Sequence, residues 1–181
     1  KFITLCVRDS AYLETIFPSK DWAYHNFRDS DIDNFILAVE ALADLGFFIV
    51  RVGVKVKKEL NIKNPRIIDY ACNGKRTEFL DLYLASKCEF CISTGTGFDA
   101  LPHIFRRPIV FASYAPMYYL MTSIKGLAIV KHHYSNRLER RLSLKEIIDH
   151  KAMIISDGSI YSEVGIELKE NTPEEIRDVC L

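Results

Sequence analysis

The chain has 181 residues with 24 Lys+Arg against 24 Asp+Glu, 49% hydrophobic and 12% aromatic residues, a profile that fits one globular domain burying on the order of 70% of its unfolded surface. A formal net charge of zero excludes a general nucleic-acid binder or a polybasic membrane-surface protein, because both need a positive field to attract phosphates or anionic lipid. Collagen-like, coiled-coil and disordered classes fail on composition.

Phe2 to Val7 is an apolar, partly β-branched run that reads as a buried strand stopping at the polar Arg8-Asp9-Ser10. From Asp9 to Ser30, aromatics and charges mix without a clean period, which predicts a long irregular loop of the kind that carries function. A helix is expected from Asp31, with Ile32, Phe35, Ile36, Val39 and Leu42 on one face and Gly46 just past its end. Strands follow at Phe47 to Val52 and Arg66 to Tyr70, then a helix at Thr77 to Ser86 and a strand at Glu89 to Ser93. The remainder predicts a helix from Phe98 to Phe105, strands at Pro108 to Ala112 and Leu127 to Lys131, and helices at Leu144 to Asp149 and Pro173 to Val179. Strands alternating with helices imply crossover connections and a mainly parallel sheet, hence an α/β fold. No linker-like tract divides the chain, so a single domain is expected.

The five cysteines, Cys6, Cys72, Cys88, Cys91 and Cys180, are odd in number and scattered, and the first residues do not read as a secretory n-region and h-region. A reduced cytoplasmic protein is expected, with peripheral attachment to the inner face of a membrane left open. Cys88 and Cys91 have metal-knuckle spacing, but a tetrahedral zinc site needs two further ligands that the sequence does not supply, so no metal is expected. Pro108 to Val130 is apolar but interrupted by Ser113, Pro116, Ser123 and Lys125, so no membrane span is predicted. Because the chain opens on Lys1 and enters strand-like residues at once, it is expected to be part of a longer protein, its amino-terminal domain not included.

The strongest local signal is Ser93-Thr94-Gly95-Thr96-Gly97-Phe98-Asp99-Ala100, lying between a strand and a helix. Glycines permit a tight turn and close approach, and amides at a helix start with the Thr94 and Thr96 hydroxyls could hold an anion; a capped structural turn is the alternative. Gly95 to Ala100 also fits G-x-G-x-x-A, yet the motif follows several strands and no carboxylate stands about 20 residues on, which counts against a dinucleotide site. Arg8, at the carboxyl end of the first strand, would face this turn if the two strands are neighbours, and its guanidinium could hold phosphate oxygens; an ion pair with Asp9 or Asp81 is the plain alternative. Asp21 to Asp31 is dense in polar and aromatic groups: Trp22 and Tyr24 could stack on a sugar, Arg28 could tie the loop down, and His25 and Asp29 are candidate bases. Asp31 or Ser30 reads most simply as a helix N-cap. Asn73 to Arg76 reads as a turn, His132, His133, Arg137, Arg140 and Arg141 as a solvated basic face, and the segment from Tyr114 to Met121 as core, lid or partner surface.

The strings C-V-R-D-S-A-Y-L, D-W-A-Y-H-N-F-R-D-S-D-I-D, C-I-S-T-G-T-G-F-D-A-L-P-H-I-F-R-R-P-I-V and E-N-T-P-E-E-I-R-D resemble a group of bacterial glycosyltransferases from surface-polysaccharide loci over nearly the whole chain. That group is similar to the nucleotide-binding half of two-domain GT-B enzymes and, more distantly, to fucosyltransferases with an H-x-R motif. Cys6 stands where that motif has histidine, so only Arg8 carries over. The resemblance implies a Rossmann-like donor-binding half, with a nucleotide sugar as substrate and a glycan or lipid-linked acceptor. It also implies a diphosphate held by Ser93, Thr94, Gly95, Thr96, Gly97 and Asp99, with Arg8 stabilising the leaving phosphate. The base is expected near Val52-Gly53-Val54, and Asp29-Ser30-Asp31 reads as capping before metal. A sugar-nucleotide epimerase, marked by a second phosphate-proximal arginine or histidine, and a non-catalytic module are the alternatives.

Overall fold

A computed structural model describes residues 1–181. In chain order the elements are β1 (Phe2–Cys6), α1 (Ala11–Ile16), a 3₁₀ helix (Ala23–Arg28), a second 3₁₀ turn (Ile32–Phe35) running into α2 (Ile36–Asp44), β2 (Phe48–Arg51), β3 (Ile67–Asp69), α3 (Glu78–Lys87) and β4 (Cys91–Ser93). A 3₁₀ turn (Gly97–Asp99) then runs into α4 (Ala100–Ile104), followed by β5 (Ile109–Tyr114), β6 (Gly126–Val130), β7 (His132–Ser135), β8 (Arg140–Arg141), α5 (Leu144–Asp149), α6 (Gly158–Glu163), β9 (Ile166–Lys169) and α7 (Pro173–Cys180).

Six strands form one sheet in the order β3-β2-β1-β4-β5-β6, and every neighbouring pair in it is parallel. The fold is α/β and Rossmann-like. Alternation sorts the side chains of each strand between two covered faces, as a parallel sheet requires. Ile3 and Leu5 of β1 and Val7 just past its end, with Ile49, Ile92, Val110 and Ala112, meet Phe35, Val39 and Leu42 beneath α2 and Ile176 and Cys180 of α7. On the opposite face Cys6, Val50 and Val52 meet Leu80 and Leu84 of α3, and Cys91, Ile109 and Phe111 pack with Phe98 and Tyr114. Burying a Leu- or Ile-sized side chain on such faces contributes about 1.5–3 kcal/mol each.

The expected strands and most helices stand close to where periodicity placed them, and Asp31 is the N-cap, its side chain accepting from the Asp33 amide. Three features differ. The segment from Asp9 to Ser30 is not wholly irregular, since it holds α1 and a 3₁₀ helix; its aromatics hide a three-residue period. Beyond Lys131 the chain builds an unforeseen antiparallel sheet, β8-β7-β9, whose strands are too short for their alternation to show. A small core of Ile147, Ala152, Tyr161 and Ile166 lies beneath it, with Phe27 and Met117 inserted from the larger part. Consequently His133 is buried, its Nδ1 3.0 Å from the Lys131 carbonyl oxygen, and His132 pairs with Glu175 at 2.7 Å; only Arg137, Arg140 and Arg141 are the exposed face that was expected. No helix is long and apolar enough to cross a membrane.

The two parts are pinned together by Asn171. Its Oδ1 accepts from the Ser113 amide at 2.7 Å, its own amide donates to Ser113 Oγ at 3.0 Å, and its Nδ2 donates to the Val130 carbonyl at 3.0 Å. Ser113 has a left-handed φ of 49° at an irregularity in the β5–β6 pairing, so its amide has no ladder partner of its own. Asn171→Ala strands that buried amide and is expected to lower unfolding free energy by about 2–4 kcal/mol in a urea titration; a loss within about 0.5 kcal/mol shows that the pin contributes nothing.

Candidate functional site

Strand order reverses between β1 and β4, and in open parallel sheets the crevice at such a point, beyond the carboxyl ends of the strands, is where ligands collect. The pairing of Cys6 with Ser93 sets Arg8 beside the Thr94–Gly97 turn, and the Arg8 amide donates to Thr94 Oγ1 at 2.8 Å. The two signals singled out in the sequence, 86 positions apart, therefore share one place.

The turn itself is more self-contained than expected. Ser93 and Thr94 are fully buried, and the Ser93 hydroxyl accepts from the Gly95 amide at 3.1 Å. The Thr96 amide donates to Asp99 Oδ2 at 2.7 Å and its hydroxyl to Asp99 Oδ1 at 3.2 Å, a capping box. Ser93, Thr94 and Asp99 thus shape the turn instead of facing a ligand, and two of the amides expected to cradle an anion are already engaged. Gly95 is required by the fold, since its φ is +91° and a Cβ would lie 2.7 Å from the Tyr114 ring. Gly97 is different. A Cβ there would meet nothing within 4 Å, and the residue is exposed at the mouth of a cleft.

Positive charge comes from two arginines. Arg28 Nη2 donates to the Gly95 carbonyl at 2.9 Å, and its guanidinium lies 5.7 Å from the centre of the Tyr119 ring. Arg8 Nε is 3.2 Å from Asp29 Oδ1, so its partner is Asp29 and neither Asp9 nor Asp81. Burial and the neighbouring Arg28 lower the Arg8 pKa. The Asp29 carboxyl moves up because burial outweighs the pull of Arg8. Its backbone is held from both sides, as Lys131 Nζ donates to the Asp29 carbonyl and the next amide, Ser30, donates to the Arg8 carbonyl at 3.0 Å.

The 3₁₀ helix at Ala23–Arg28 explains how this group assembles. At three residues per turn, positions i and i+3 eclipse, so Trp22, His25 and Arg28 share a side while Tyr24 and Phe27 share another. Phe27 packs 5.4 Å from Tyr161 across the small core, which holds the helix and turns Arg28 to Gly95. His25 feels the result: burial first, then Arg28 and Arg8, lower its pKa, and its Nδ1 is buried without a partner. Trp22 lies 6.1 Å from Tyr24 and 6.0 Å from His25 in stacked pairs, with its indole N–H donating to the Phe17 carbonyl at 3.3 Å. Trp22 and Tyr24 thus form a part-exposed aromatic rim and are not core.

Next to Arg8 opens a cleft of about 350 Å³ lined by Cys6, Tyr12, Gly53, Val54, Val56, Thr96, Gly97, Phe98 and Leu101 among others. That volume lies at the small end of the range of ligand pockets. The contributions of Tyr12, Val56, Phe98 and Leu101 escaped the sequence reading, since an apolar wall carries no chemical signature. The Cys6 thiol at the base lies 3.3 Å from Thr96 Oγ1, and burial pushes its pKa to about 12, so it is an inert thiol. Cys88 and Cys91 are buried and free.

Burial pushes the Asp99 carboxyl up to about 6 despite bonds from Ser93 and Thr96. An acid whose folded pKa is raised favours the fold fully below its unfolded pKa, near 3.8, and that contribution is lost as pH rises to about 6. Between pH 4 and 8 the stability difference between the native chain and Asp99→Asn therefore moves toward the variant by about 2–3 kcal/mol, measured by denaturant unfolding at a series of pH values; a pH-independent difference refutes the buried-charge account. Comparison with family models, with curated proteins and with solved structures finds no match for the chain.

Proposed function

We propose that the chain is the donor-binding half of a glycosyltransferase that takes a nucleotide-activated sugar and passes it to a glycan or lipid-linked acceptor. The observation that carries this reading is the meeting of Arg8 and Arg28 around the Gly95–Gly97 turn where strand order reverses, beside a cleft with an apolar wall. Two guanidiniums offer donor forks suited to a diphosphate, with Asp29 paired to Arg8 and Asp9 and Asp81 also lining the cleft. Gly97, which no packing contact requires, leaves backbone room for phosphate oxygens. The nucleoside would occupy the part of the cleft between Gly53–Val56 and Phe98–Leu101. Sugar and acceptor would lie toward His25, Tyr24 and Trp22.

The chemistry matches what glycosyl transfer demands. The bond from the anomeric carbon to the diphosphate oxygen breaks as the acceptor oxygen attacks, and negative charge grows on the leaving group. Fixed cations aimed at that charge lower the barrier, and removing one such donor costs about 3–4 kcal/mol in other enzymes. His25, held toward its neutral form by burial and the arginines, is the better base candidate; Asp29 is engaged by Arg8. A metal is not needed for charge neutralisation in this scheme.

Arg28 also favours a second reading. A second phosphate-proximal arginine is what a sugar-nucleotide epimerase of the same architecture would show, and Arg28 stands in that relation to Arg8. Turnover separates the two: an epimerase converts the sugar nucleotide without acceptor, which proton NMR of the sugar detects.

Binding is tested by thermal unfolding against nucleoside diphosphates, nucleotide sugars and dinucleotides. A specific nucleoside diphosphate at a hundred times its dissociation constant is expected to raise Tm by about 5–10 °C, with the shift lost in Arg8→Ala and partly kept in Arg8→Lys. A shift with dinucleotides alone, or an undiminished shift in Arg8→Ala, overturns the donor-site reading.

A further inference from the structure

A second basic centre lies at the other end of the sheet. In a parallel sheet the starts of the strands lie opposite their carboxyl ends, so the loops entering β5 and β6 are remote from Arg8. Between them is a cleft of about 490 Å³ lined by His103, Ile104, Arg106, Arg107, Ser123, Ile124 and Lys125. Three fixed cations and a histidine line it, and no carboxylate does.

Local structure accounts for their convergence but not for their charge. A Cβ at Gly126 would lie 1.8 Å from the Ile109 carbonyl oxygen, so only glycine lets β6 start this close. That contact sets Lys125, whose carbonyl accepts from the Ile109 amide at 2.9 Å, beside the Arg106–Pro108 loop. The carboxyl end of α4 needs no cationic side chain, because the Phe105, Arg106 and Arg107 amides bond the Leu101, His103 and Pro102 carbonyls at 3.1, 2.9 and 2.8 Å. Arg106 holds a left-handed φ of 56°, a position where glycine is the usual residue. The one hydrogen bond made by these four basic side chains is from Arg107 Nε to the Ser86 carbonyl, 2.8 Å, and His103 Nδ1 is buried without a partner. Like charges held together without counter-charge raise the local potential and attract anions.

We infer that this cleft is a site for a phosphate-bearing ligand, separate from the crevice at Arg8 and independent of the function proposed above. Arg106 and the outer nitrogens of Arg107 offer the planar donor forks that suit phosphate oxygens, Lys125 a point charge, and Ser123 a hydroxyl. The phosphate could be soluble or belong to a lipid headgroup; exposed Ile104 and Phe105 at the rim would meet acyl chains in the second case.

The test follows backbone amide resonances of the 181-residue chain during titration with inorganic pyrophosphate, alongside sedimentation with phosphatidylcholine vesicles containing or lacking phosphatidic acid. The comparison is an Arg106→Gly/Lys125→Ala variant, which suits the backbone at 106 and removes an exposed lysine, so folding is kept. Saturable shifts at residues 103–107 and 123–125 are expected, retained in Arg8→Ala and weakened about tenfold or more in the double variant. Response to pyrophosphate identifies a soluble ligand class, and response only to phosphatidic acid vesicles identifies a lipid headgroup. No response to either probe, or one that the double variant leaves unchanged, overturns the inference.

Discussion

The constraint on which the structure depends is the central placement of the first strand. β1 pairs with β2 on one side and β4 on the other, so the chain winds outward in one direction through β3 and then returns to wind outward in the other through β6. The loops leaving β1 and β4 must diverge to opposite faces, and the crevice between them is a consequence of chain order before any side chain is considered. Both faces must also be covered, because a parallel sheet exposes apolar side chains on each. α2 and α7 serve one face, α3 and α4 the other, and the rigidity of that sandwich fixes Arg8 against Thr94.

The crevice gains its charge from outside the sheet. Arg28 reaches Gly95 only because the short 3₁₀ helix carrying it is seated on the small antiparallel part through Phe27 and Tyr161, while Lys131 and the Arg8 carbonyl hold the return of the loop. The small sheet is thus a support for the candidate site. The turn after β4, in contrast, spends its own polar groups internally: Asp99 occupies the capping position that an anion's oxygens would otherwise compete for. Anion affinity at this place rests on side-chain cations more than on main-chain amides.

Two basic centres lie at opposite ends of one sheet in a chain without net charge. They differ in kind. The cations at Arg8 and Arg28 are partly answered by Asp29, partly buried and adjoined by an apolar cleft, whereas those at Arg106 and Lys125 have no lining carboxylate. Neutral overall composition hides both, because carboxylates accompany the first centre and none lines the second.

The α/β class, the strands from β1 to β6 and the helices α2, α3, α5 and α7 were legible from residue order, because periods of two and near 3.6, capping residues and glycine stops are local signals. Arg8 and the Thr94–Gly97 turn stood out as candidates for the same reason. Only the tertiary structure decided that these two meet, that Asp29 rather than Asp9 or Asp81 pairs with Arg8, that Arg28 faces Gly95, that Ser93, Thr94 and Asp99 are spent on the turn, and that His133 is buried. Each of those outcomes depends on residues far apart in sequence being brought to bonding distance by strand pairing and by the seat of Phe27, and no local period encodes which partner arrives.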